Sequence, residues 1–222
     1  DQSTYYLLLI EFLLFFVYAF PPFRLKEKGF LGIITDALYA QVIPCLLAVY
    51  TFSKIANTIL HIKLIALYTI WLLLVGIRNI LKHQIEDIEN DMRTATKTFA
   101  TKNGKLATER MSYLIASSEI VIFIVLLFTL QNPIHYIIIF YFIYIVFIII
   151  STKLNKDSIT LFNFINTRIL KEFYEIHLPI LLLIYFSFVQ HFFMLIVLIN
   201  IVFFCPIYKS YIAGFYSKYI NH

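Results

Sequence analysis

Side chains four residues apart on a helix stand one above the other. Asn79, His83, Asp87 and Asp91 follow one another at that step, and Gln84 lies three residues before Asp87. Two carboxylates at i and i+4 can share one divalent cation or hold two adjacent ones. Oxygen donors of this kind favour Mg2+, which keeps several waters and is normally completed by substrate phosphates. The same residues admit a plainer reading, a solvated helical extension with salt bridges such as Glu89 to Arg93. Their place at the edge of a long apolar run, beside Asn79, His83 and Gln84, favours the site, because ionisable groups at a membrane are costly to keep without use. His83 fits a base or a partner orienting the carboxylates, or a histidine simply satisfied on a polar helix face. A zinc pair of His83 and Asp87 has only two ligands in view.

A second polar group runs from Tyr18 to Gly29 and presents Arg24, Lys26 and Lys28. Pro21 and Pro22 end a helix there, and Gly29 permits a turn. Taken alone these cations are a topology anchor. On the same side of a membrane as the acidic stripe they form an anion clamp facing a metal site, a combination suited to a diphosphate.

The elements that must position these residues are set by composition. Of 222 residues 61% are hydrophobic and 14% charged, with 23 Phe and 16 Tyr. That excludes an ordinary soluble globule and a disordered chain. At roughly 20 apolar residues per helical crossing, the apolar runs predict spans at about 4–20, 33–52, 60–81, 113–130, 134–151, 177–189 and 191–207. The expected fold is all-α: a polytopic transmembrane helical bundle of about seven spans, one domain over residues 1–222. Every Lys and Arg except Lys54 and Lys63 falls in the connections 21–32, 82–112, 152–176 and 207–222 or at the end of the third span. The positive-inside rule makes those connections cytoplasmic. Membrane lipid is thus an expected partner, with a bacterial inner (plasma) membrane as the expected location. The net charge of +5 sets topology; no basic stretch with interleaved aromatics points to nucleic acid.

Cys45 and Cys205 stand apart in apolar stretches with no CxxC or His/Cys cluster, which predicts neither a disulfide framework nor a zinc site. Glu11 and Glu119, in or near spans, either shape a substrate site or are paired structurally. Asp36 and Tyr39, one helical turn apart, admit the same two readings. The chain opens on Asp1 without a Met, so a processed, truncated or fragmentary chain is expected.

Two segments together carry a family resemblance. Tyr18-Ala-Phe-Pro-Pro-Phe-Arg-Leu-Lys-Glu-Lys-Gly resembles the Tyr-Ser-x-Pro-Pro-x-(Arg/Lys)-x-Lys-x-x-Gly segment of UbiA-type membrane prenyltransferases. Gln84-Ile-Glu-Asp-Ile-Glu-Asn-Asp-Met-Arg-Thr-Ala-Thr is similar to that family's second aspartate-rich motif, Asp-x-x-Asp-x-x-x-Asp followed by Arg or Lys, a small residue and Thr. Glu172-Phe-Tyr-Glu-Ile-His-Leu-Pro179 resembles a segment that opens its last spans. The resemblance implies a helical bundle that binds Mg2+ and a prenyl diphosphate and transfers the isoprenoid to a lipophilic acceptor. It implies that Asp87 and Asp91 are the catalytic metal ligands, that Tyr18, Arg24, Lys26, Asn79 and Gln84 meet the diphosphate, and that His83 stands behind the carboxylates. Two departures accompany it. Gln84 replaces the first acid, and the family's first motif, Asn-Asp-x-x-Asp-x-x-x-Asp, is not among these residues. The bundle is therefore expected to lack the family's first helices. The rival expectations are a non-catalytic membrane scaffold or binding protein that lost the first motif, and a small transporter with an intramembrane carboxylate path.

Overall fold

The computed structural model describes residues 2–129, 134–155 and 164–219. Every regular element among them is helical. The chain forms two compact units, Asp1–Leu130 and Gln131–His222.

In the first unit, α1 (Gln2–Ala19) stops where Pro21 and Pro22 cannot donate to the helix. A 3-10 turn (Leu25–Glu27) follows, and Gly29, at φ 59°, caps α2 (Phe30–Ala37). A π-helical turn (Leu38–Val42) joins α2 to α3 (Ile43–Ile55). The next helix, α4 (Ile62–Glu86), is followed by two short ones, α5 (Ile88–Arg93) and α6 (Phe99–Asn103). Gly104, at φ 82°, turns the chain into α7 (Lys105–Thr129). Ile33, Ala37, Ile77 and Leu81 form the core between α2 and α4, flanked by Phe99, Met111 and Ile115. Gly76 brings those two helices close: a Cβ there would sit 2.8 Å from the Ala37 Cβ.

The second unit contains α8 (Ile134–Asn155), two π-helical stretches (Phe164–Lys171 and Phe173–His177), α9 (Leu178–Val189) and α10 (Phe192–Tyr219). Aromatic packing holds its described part together. The Tyr141 and Phe173 rings lie 4.3 Å apart and those of Tyr144 and His177 4.5 Å apart.

Among the described residues three helical stretches are long and apolar enough to cross a membrane: Phe30–Ile55, Ile62–Glu86 and Lys105–Thr129. Thr4–Ala19, Tyr136–Val146 and Phe192–Pro206 are shorter apolar helices. The outward faces carry large apolar side chains, among them Tyr5, Phe12, Leu114, Phe128, Tyr136 and Phe203, as lipid solvation permits and water does not. Several helices run beyond the expected bounds. The fourth begins at Lys105, immediately after the Gly104 turn, because Lys105-Leu-Ala-Thr-Glu-Arg is good helix-forming sequence. The true connection between α4 and α7 is therefore 87–104. The last helix continues through Pro206 to Tyr219, into what the charge pattern assigned to a terminal connection. Asp1 and parts of the connections at 152–176 and 207–222 lie outside the described residues.

Candidate functional site

The acidic stripe is carried by α4 and α5. The α-helix breaks at Asp87, whose backbone sits at φ −94°, ψ 2°. One turn of hydrogen bonding survives the break. The Asp87 amide donates to the His83 carbonyl and the Asp91 amide to the Asp87 carbonyl, each at 2.9 Å. The spacing of four is thus kept from Asn79 to Asp91, on two short-coupled helices where one was expected.

Around that stripe the polar groups are distributed unequally. Asn79 is half-buried, His83 and Asp87 are exposed, and Asp91 is half-buried. His83 Nδ1 lies 3.8 Å from Glu86, and the exposed pair Glu89 and Arg93 closes at 3.6 Å, as the solvated-helix reading expected. The Thr98 hydroxyl donates to Asp91 Oδ2 at 3.1 Å while its oxygen caps α6 by accepting from the Thr101 amide at 3.3 Å. Gln84 is buried, and its side-chain oxygen accepts from the Ala100 amide at 3.2 Å. The Gln84 side chain therefore ties α4 to α6.

The cationic turn reaches the same end of the unit. Lys102 Nζ donates to the Glu27 carbonyl at 3.0 Å, across 75 residues of sequence. Arg24 pairs with Glu27 at 3.0 Å and holds a left-handed backbone, φ 41°, a conformation that costs an L-residue about 1–2 kcal/mol. Lys26 is half-buried and Lys28 exposed. The Leu25 and Lys26 backbone lies against α2 at Gly32, where a Cβ would meet the Leu25 carbonyl oxygen at 2.6 Å.

Three residues join the two segments. The Tyr39 hydroxyl donates to Asp36 Oδ1 at 3.1 Å. The Tyr18 ring lies 5.1 Å from that of Tyr39 and is close enough to the same carboxylate to feel its charge. His83 stands within electrostatic reach of Asp36, and Asp91 of Tyr18. The structure thus brings Tyr18, Asp36, Tyr39, His83 and Asp91 to one neighbourhood. Tyr18 and Asp36 come from helices separated by the proline turn, so only the Asp36 to Tyr39 pairing was visible in sequence spacing.

Among the described residues no three His, Cys, Asp or Glu side chains converge as a metal site. The donor chemistry of Asp87 and Asp91 fits Mg2+ in its usual partnership with substrate phosphates: two carboxylates one turn apart, one of them exposed. A His83 and Asp87 zinc pair gains no further ligand among those residues.

Elsewhere in the unit, Arg78 and Glu119 are both buried and pair at 2.7 Å between α4 and α7. Thr108 and Ser112 extend that buried polar seam along α7. Glu119 is thus structurally paired, one of the two readings its sequence position allowed. Both cysteines are free, and Cys45 accepts a hydrogen bond from Gln41 Nε2 at 3.8 Å.

No protein-family model matches the chain, nor does a curated protein or a solved structure.

Proposed function

We propose that this chain is a membrane-embedded, Mg2+-dependent prenyltransferase of UbiA type, which moves an isoprenoid chain from a prenyl diphosphate to a lipophilic acceptor. On this reading it forms a polytopic bundle of about seven spans in a bacterial inner membrane, with the motif loops on the cytoplasmic side. One observation carries it. The cationic turn 24–28 and the carboxylates of 87–91, distant in sequence, lie at one end of a single helical unit, linked through Lys102 and Glu27 and through Tyr18, Asp36 and His83.

Asp87 and Asp91 offer oxygens to the metal, and Arg24 and Lys26 offer charge-assisted donors to the phosphates. Arg24 holds a strained, left-handed backbone within that cationic turn, the kind of outlier that accompanies function. Asn79, half-buried, precedes Asp87 by two turns on α4, and Gln84 braces α4 against α6. Bound Mg2+ neutralises charge on the leaving diphosphate. The apolar helices exclude water from the allylic cation until the acceptor attacks.

The test uses the complete gene product in nanodiscs, with Mg2+, labelled prenyl diphosphates of several chain lengths, and a membrane lipid extract as acceptor source. Magnesium-dependent release of diphosphate with transfer of label to lipid is expected, and Asp87→Asn or Asp91→Asn should abolish it while the protein stays folded in detergent. Unaltered rates in both variants would sink the site. An inert wild-type protein would favour the non-catalytic scaffold.

A further inference from the structure

Arg24 stands at the end of a chain of contacts that starts on α6, a short helix tied to its neighbours on several sides. The amide of the buried Ala100 donates to Gln84 Oε1 on α4 at 3.2 Å, and the Thr98 hydroxyl donates to Asp91 Oδ2 at 3.1 Å. Phe99 packs against the core between α2 and α4. From this anchored helix Lys102 Nζ reaches the cationic turn and donates to the Glu27 carbonyl at 3.0 Å. Glu27 in turn holds Arg24 twice. Its amide donates to the Arg24 carbonyl at 3.1 Å, and its carboxylate pairs with Arg24 Nε at 3.0 Å.

The point of attachment decides what the guanidinium can still do. It is a planar fork with one N–H on Nε and the others on its two terminal nitrogens. A carboxylate at Nε leaves the terminal N–H groups for an oxyanion, which such a fork meets bidentately. An ion pair this exposed, 48% on Arg24 and 29% on Glu27, adds little stability. It does restrict a long side chain before any anion arrives, and a group ordered in advance loses less entropy on binding. Charge alone gives the opposite expectation, since an acid beside a diphosphate repels it.

We propose that Glu27 and Lys102 are positioning residues: Lys102 fixes the turn at Glu27, and Glu27 holds the Arg24 guanidinium by Nε so that its terminal nitrogens grip the diphosphate. Lys102 is thereby committed to the turn and is not itself a phosphate ligand. The identity of the anion rests on the prenyl transfer proposed above; the contacts among Lys102, Glu27 and Arg24 do not.

The protein, 15N-labelled in nanodiscs, is followed through the Arg24 Nε–H signal, assigned by its loss in Arg24→Lys, and titrated with Mg2+ and inorganic diphosphate. Glu27→Leu should shift that signal and weaken diphosphate binding about three- to tenfold, the effect of having to order one long side chain on binding. Glu27→Gln keeps an acceptor for Nε and sheds the charge, so it should bind at least as tightly as the wild type. A Glu27 that acted by charge alone would make both variants bind more tightly. Lys102→Met should shift the Arg24 signal without touching Arg24, whereas Lys102→Arg, which keeps a donor for the Glu27 carbonyl, should leave it in place. If Glu27→Leu perturbs folding, the two Lys102 variants provide the same readout.

An Arg24 signal indifferent to Glu27→Leu or to Lys102→Met, or a Glu27→Leu variant that binds diphosphate as tightly as the wild type, would overturn the assignment. An Arg24 signal that answers both substitutions in a protein that binds no diphosphate supports the positioning of Arg24 and removes the prenyl-transfer reading instead.

Discussion

Arg78 Nε lies 2.7 Å from Glu119 Oε2, with side-chain exposures of 1% and 0%, between two helices that are each long enough to cross a membrane. Burying such a pair stabilises little by itself, but removing one partner strands a charge and costs ~3–5 kcal/mol. Glu119→Ala should therefore lower detergent stability by about that amount, and Arg78→Leu with Glu119→Leu should recover most of it. A double-mutant cycle on thermal unfolding measures both. Equal losses in the single and double variants would show that the pair does not hold α4 against α7.

Gly32 sets the height of the cationic turn above α2. A Cβ there would lie 2.6 Å from the Leu25 carbonyl oxygen and 3.1 Å from the Lys26 Cα, both backbone atoms. Overpacking of this kind costs ~1–3 kcal/mol, and it is relieved only by moving the turn that carries Arg24 and Lys26. Gly32→Ala should accordingly reduce stability and weaken Mg2+ diphosphate binding together. A variant with lowered melting temperature and unchanged diphosphate affinity would separate the turn from the site.

How much of this was legible beforehand depends on range in sequence. Hydropathy located α4 and the body of α7, because a long apolar run is a local signal. The proline pair fixed the end of α1, and spacing of three paired Asp36 with Tyr39. Spacing of four carried the acidic stripe to Asp91, but it did not foresee the break at Asp87 or the short helix α6. There a threonine cap and a glycine at positive φ act on only a few residues. Arg78 read as one more cytoplasmic charge, since nothing local joins it to Glu119. The one available signal was an acid and a base each set within an apolar run, a costly arrangement unless the two meet. The approach of Tyr18 to Asp36 and of Lys102 to Glu27 depends on helix packing and had no sequence signature at all.

The loop charge pattern also makes a prediction about sidedness. Lys54 and Lys97 are both exposed and fall on opposite sides in the positive-inside assignment. In a background carrying Cys45→Ala and Cys205→Ala, Lys97→Cys should react with an impermeant maleimide only in inverted vesicles, and Lys54→Cys only in right-side-out ones. The opposite pattern would reverse the topology, and labelling of both from one side would remove the crossing between them.

Arg24 separates stability from binding in a single residue. Its backbone stands at φ 41°, ψ 54°, a region that costs an L-residue about 1–2 kcal/mol and costs glycine nothing. Glycine loses about 0.5–1 kcal/mol of that gain through its freer unfolded chain. The bond to Glu27 is solvent-exposed on the Arg24 side, 48%, so its loss subtracts little. Arg24→Gly should therefore be at least as stable as the wild type and yet bind Mg2+ diphosphate more weakly, because the guanidinium is gone. Arg24→Ala keeps the strain and loses the charge, so it should be less stable than Arg24→Gly with the same binding defect. Thermal unfolding beside diphosphate titration of the two variants decides the matter. Full diphosphate affinity in both would take Arg24 out of the clamp and leave Lys26 as its cation.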